Sequence, residues 1–121
     1  MEHFGQISLS EEQAELMDLA DKFCRERSPI EKVRKLMEGE RGYDGALWGD
    51  IVELGWLGIA VPEDFGGVGL SLAEVAPVIE ALGRAMTPGP FFSTTLAAQA
   101  ILACGHEAQK LKMLPAIVGG S

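Results

Sequence analysis

The sequence predicts an all-α fold, an up-and-down bundle of about five to six helices, on three observations. Apolar residues recur at spacings of three and four along most of the chain, which is the signature of one buried helix face. Glycine and proline cut this pattern into helix-length segments. Residues suited to capping helix N-termini, Ser10, Asp44 and Ser71, stand where segments begin.

The first segment is expected to be helical over 11–27. Ser10 and Gln13 have the spacing of a capping box, and Leu16, Leu19, Ala20, Phe23 and Cys24 form one stripe. Glu11, Glu12 and Glu15 come early and Arg25 and Arg27 late, as the helix dipole favours. Ser28-Pro29 looks like a cap followed by a proline at the first helical position of a short helix, 29–38, that ends at Gly39. Asp44 caps a third helix, 45–54, with Leu47, Trp48, Ile51 and Leu54 on one side and Gly55 as its left-handed stop.

Trp56 to Pro62 is apolar but short and glycine-broken, a poor strand, and Pro62 to Gly69 is a loop. Ser71 and Glu74 have capping-box spacing before a helix to about 86 with the stripe Val75, Val78, Ile79, Leu82. Pro77 inside it should kink the helix or leave a carbonyl unpaired. After the break at Thr87-Pro88-Gly89-Pro90, helices are expected over 91–104 and 106–118. Leu111, Leu114, Ile117 and Val118 of the last are expected to face inward, with Pro115 weakening its final turns.

At 121 residues the chain has the size of one domain. With 47% apolar and 23% charged residues its composition is globular. A net charge of −8 argues against a nucleic acid or an anionic membrane surface as main partner. Two cysteines, Cys24 and Cys104, both inside apolar helical patterns, are expected to be buried free thiols in a reducing cytoplasm. Met1-Glu2-His3-Phe4 lacks the basic start and apolar run of a leader.

From Gly66 to Gly105 the only charged residues are Glu74, Glu80 and Arg84. The 91–104 helix has no charge at all, whereas a surface helix normally keeps a polar face. It is therefore either central in its own bundle or covered by a partner surface outside this chain. Candidate chemistry is sparse. His3 and His106 have no ligand-spaced neighbours. Gly66-Gly67-Val68-Gly69 precedes a helix but lacks the lysine and hydroxyl of a P-loop, so a structural loop is the better reading. Ser71 has the position of a prosthetic-arm serine, but Leu70 precedes it where a carrier has aspartate. No residue presents itself as a poised general acid or base.

Four stretches nevertheless resemble one family in register. Glu53 to Ser71, ELGWLGIAVPEDFGGVGLS, is similar to the N-terminal helical domain of acyl-CoA dehydrogenases. So are the opening Leu9-Ser-Glu-Glu-Gln13, the segment Glu80-Ala-Leu-Gly-Arg-Ala85, and the run from Gly105 to Gly120. In register, the resemblance spans nearly the whole chain, about residues 7 to 120.

The resemblance implies a three-domain, FAD-dependent oxidation of an acyl-CoA thioester. A glutamate takes the α-proton and the flavin takes a β-hydride. The chain matches the first domain alone, over 1–121, and Gly119-Gly120-Ser121 would lie inside a longer motif. The catalytic glutamate and the flavin-contacting segments belong to later domains of the family, so no catalytic or cofactor-binding residue is expected here.

The substrate-binding candidates that the resemblance implies are Phe91, Phe92, Thr94, Thr95, Leu96 and Ala98, where such a domain lines the acyl tunnel. Phe92 matches a position near the tunnel's closed end, where a ring would shorten it or turn it toward a ring-shaped substrate. The expected partners are acyl-CoA and an electron-transferring flavoprotein. The assembly is expected to be a homotetramer or a pairing with a related subunit, the latter a trait of the actinobacterial branch that the Thr87–Pro90 break resembles. Taken alone, the chain should be inactive and should expose a large apolar patch. The alternative is a free-standing, non-enzymatic interaction module derived from the same family.

Overall fold

A computed structural model describes residues 8–121, so the readings made on Met1 to Phe4 and on His3 lie outside the described residues. The fold is all-α, as expected. Six helices follow in order: α1 (Glu11–Arg27), α2 (Ile30–Glu38), α3 (Gly45–Glu53), α4 (Leu72–Arg84), α5 (Phe91–Cys104) and α6 (Glu107–Val118). Two 3-10 turns, Trp56–Gly58 and Glu63–Phe65, lie between α3 and α4, and no strand occurs among the described residues.

Local chemistry explains where the helices start. Ser10 Oγ accepts from the Gln13 amide at 3.1 Å while Gln13 Oε1 accepts from the Ser10 amide at 3.0 Å, the reciprocal capping box. Asp44 Oδ1 accepts from the Ala46 amide at 2.9 Å. His106 caps α6 by the same reciprocal scheme, its Nδ1 accepting from the Gln109 amide and Gln109 Oε1 accepting from its own. The Ser71 box is incomplete. Ser71 Oγ accepts from Ala73 N, but Glu74 Oε2 accepts from the Ser71 hydroxyl at 2.7 Å rather than from the Ser71 amide.

Packing organises two helix pairs, α1 with α4 and α5 with α6, and both 3-10 turns contact α6. The segment 56–61 is the most densely buried stretch: Trp56, Leu57, Ile59 and Val61 are all 4% exposed or less. Trp56 meets Phe23 edge-on with ring centroids 5.2 Å apart. Gly55 precedes this stretch at φ 77°, the left-handed stop that was expected. The larger core cluster gathers Ala20, Cys24, Leu47, Ile51, Val75, Val78, Leu82 and Phe91 around it. A smaller one joins Val61, Ala98 and Leu114.

The loop 66–70 folds back on the same stretch. Val68 N donates to Gly58 O, Gly69 N to Val61 O and Leu70 N to Ile59 O, at 2.8–2.9 Å. A Cβ on Gly67 would overlap the Val61 carbonyl. The glycines are there for close backbone approach, and these amides are already spent.

Several expectations are corrected. Leu19 (57% exposed), Leu54 (49%) and Leu111 (61%) face solvent rather than core, because helical spacing defines a face without saying how much of it finds a partner. Cys24 is buried as expected but Cys104 is exposed at the end of α5. Pro77 does not end its helix: it is buried inside α4, which continues past it, and, having no N–H, it leaves the carbonyl four residues earlier without that partner, the second of the two expected effects. Ser28 is not the cap of α2. Pro29 takes the N-cap position and no side chain caps the helix. The uncharged α5 is not central either: only Phe91 and Ala98 on it are buried.

Candidate functional site

The six substrate-binding candidates all fall on α5, but they divide between two sides. Phe91 and Ala98 are 5% and 1% exposed and belong to the two core clusters. Phe92 and Leu96, four residues apart and so on one side of the helix, are 59% and 54% exposed. Thr94 and Thr95 lie between, half-buried, and Thr95 Oγ1 is buried without a hydrogen-bond partner among the described residues. Gln99 is committed elsewhere, its side-chain amide donating to the Ala60 carbonyl at 3.1 Å.

Phe91 and Phe92 border a cleft of about 360 Å³ walled by α3, α4 and the Thr87–Gly89 turn. Trp48, Ile51, Ile79 and Leu82 supply most of its lining, with Met86 at the rim. The wall is apolar apart from Thr87 and backbone, so it suits a hydrocarbon group rather than a charged one. Sequence reasoning put Trp48 on the apolar side of the third helix and did not mark its place here. Its indole N–H donates to the Gly120 carbonyl at 3.4 Å, which ties α3 to the C-terminal end of the chain. Met86 was missed altogether. It has φ 55°, unusual for a residue with a side chain, and no sequence signal marks it.

Among the described residues two side chains titrate away from their ordinary values, and neither lines this cleft. Lys32, with its Nζ 2.8 Å from Asp44 Oδ2, and the Ala46 amide hold the Asp44 carboxyl below the usual carboxylate range. Burial pushes the Cys24 thiol up. Among the described residues there is thus no acid or base poised over the cleft. The hydroxyl of Ser71, held by Glu74 and Ala73, serves as a helix cap.

The family profile described as the acyl-CoA dehydrogenase N-terminal domain matches residues 10–121. The chain belongs to that family. IpdE2 of Mycolicibacterium smegmatis, an acyl-CoA dehydrogenase, is 41% identical over 99 residues, covering 81% of this chain and 32% of its own. Among solved structures, a variant of the Tcur3481–Tcur3483 steroid ACAD superposes with a TM-score of 0.84 at 35% identity, over 94% of this chain and 31% of that one. The ChsE4–ChsE5 complex of Mycobacterium tuberculosis gives 0.85 at 27%, over 93% and 31%. This acyl-CoA dehydrogenase N-terminal domain therefore spans about a third of the length of those relatives. No helix among its described residues is long and apolar enough to cross a membrane.

The outer side of α5 does not by itself fit a flavin. The outer side of α5 offers an isoalloxazine ring an apolar wall and two threonine hydroxyls. It offers a pyrophosphate no cation, since α5 carries no charged residue.

Proposed function

We propose that this chain is the N-terminal wall of the acyl site in an FAD-dependent acyl-CoA dehydrogenase, which oxidises the Cα–Cβ bond of an acyl-CoA thioester. The observation that carries this reading is α5, an uncharged helix with Phe92 and Leu96 uncovered beside an apolar cleft. Phe92, Thr94, Thr95 and Leu96 would meet the acyl group. Phe91 and Ala98 would act from beneath by fixing the helix against the two core clusters. FAD, when bound, accepts the hydride. The flavin contacts and the proton-abstracting base lie outside these residues, and this chain's part is to bind the hydrocarbon and exclude water.

The Phe92 ring favours a short or ring-bearing acyl group, and a steroid ACAD among the structural neighbours supports the second. The proposed setting is the cytoplasm, with an electron-transferring flavoprotein as acceptor. The proposed assembly is a homotetramer or a pairing with a related subunit, the latter supported by the ChsE4–ChsE5 complex. The test is Phe92→Ala in the complete flavoenzyme, assayed for kcat/KM across acyl-CoAs that differ in length and ring content. A shift of preference toward longer or bulkier acyl groups is expected. An unchanged ratio would remove Phe92 from the site.

A further inference from the structure

Among the described residues Met86 is the one residue other than glycine with a positive φ, 55°. Glycine takes that conformation freely, whereas a residue with a Cβ takes it at a cost. Met86 is 60% exposed, so packing offsets little of that cost. The position works against stability, and such outliers persist where a side chain is needed in one place. Its place is the ridge between two clefts. One is the apolar cleft of about 360 Å³ that Phe91 and Phe92 border. The other, of about 560 Å³, lies between the end of α1, the start of α2 and the end of α4, and Met86 lines it too.

The rest of the apolar cleft is rigid. Ile51, Leu82 and Phe91 belong to the larger core cluster, and Trp48 and Ile79 pack against it, so these walls cannot give way without disturbing a close-packed interior. Of the large side chains in the lining, only Met86 and Phe92 are more than half exposed. The backbone beneath Met86 is fixed as well. Met86 N donates to Gly83 O at 3.0 Å and Thr87 N to Leu82 O at 2.9 Å. The Thr87 hydroxyl donates to Cys24 Sγ at 3.6 Å, and Pro88 follows with its ring-locked φ. Movement at this rim is therefore movement of a side chain. Methionine is unbranched with three rotatable bonds, and the larger cleft gives it somewhere to go, on a side made of Ile30, Ala81 and Ala85.

We propose that Met86 is a specificity-determining residue, a side-chain gate at the rim of the apolar cleft. It stands over the cleft when the acyl group is short and swings toward the α1–α2 cleft to admit a ring at the far end of a longer one. The proposal rests on the acyl reading given above and adds to it that the far end of the acyl group enters this cleft. It also explains why methionine holds a position that favours glycine: glycine would leave the rim open.

The experiment measures kcat/KM of the complete flavoenzyme for 4-cyclohexylbutanoyl-CoA and for butanoyl-CoA, and reads their ratio. Met86→Gly should raise the ratio by about tenfold, the low end of what a methylene-sized change in an apolar pocket is worth, and should unfold at no lower temperature than the wild type. Met86→Leu should lower the ratio, because a branched side chain has fewer rotamers that clear the rim. A purely structural role would move both substrates together and leave the ratio where it was. An unchanged ratio in Met86→Gly, or a ratio that moves the same way in both variants, would overturn the proposal. Phe92→Ala in the same panel separates the two readings. A ratio that responds to Phe92 and not to Met86 removes the gate and leaves the acyl wall standing, whereas a ratio that responds to neither removes both.

Discussion

Asp44 combines two roles in one carboxylate. One oxygen caps α3 through the Ala46 amide and the other pairs with Lys32 of α2. Asp44→Ala is expected to cost about 1 kcal/mol at neutral pH, the usual worth of an N-cap, read from urea midpoints. Because the folded carboxyl sits below its ordinary value, its contribution is complete above about pH 4, the unfolded value, and is lost as pH falls through the lower folded value. The difference between the wild type and Asp44→Ala should therefore shrink in acid. Gly67 is a different case, where the missing side chain is the point. Gly67→Ala drives a Cβ into the Val61 carbonyl and should cost more than about 3 kcal/mol by thermal unfolding, since neither backbone can move without breaking the bonds of Val68 and Gly69.

At the scale of elements, α4 ends in a Schellman arrangement. Thr87 N donates to Leu82 O and Met86 N to Gly83 O, with Met86 in the left-handed position that glycine normally takes. Met86→Gly should be neutral or stabilising, and Met86→Val should lose more than about 1 kcal/mol, both measured by chemical denaturation. Leu114 is 0% exposed and holds α6 to the smaller core. Leu114→Ala should cost about 3 kcal/mol. Element boundaries were legible because caps and stops are local chemistry: Ser10, Asp44, Gly39 and Gly55 act within a few residues of themselves. What the helices bury was less legible. Leu19, Leu54 and Leu111 sit at helical spacing and still face water, since burial depends on partners distant in sequence. Ser28 misled because the chain gave the capping position to Pro29, a contest between neighbours that spacing cannot score.

At the scale of the molecule, the candidate site was legible as a helix and not as a face. The absence of charge on α5 singled it out. The same absence hid which side was uncovered, because no lysine or glutamate marks its outer surface. The uncovered side, with Phe92 and Leu96 more than half exposed, should make the isolated chain associate with itself. Sedimentation should show mass rising with concentration. The double change Phe92→Ser and Leu96→Ser should restore the monomer at little cost in stability, since both side chains are largely outside the core. Cys104 closes the same helix, exposed, while Cys24 is sealed in the core with its thiol pushed up. Of these two thiols one is nucleophilically accessible and the other is inert. A maleimide dye should thus label the native chain at a single position without any engineering. Its emission, placed at the edge of the bare helix, would report the moment another surface comes down on it.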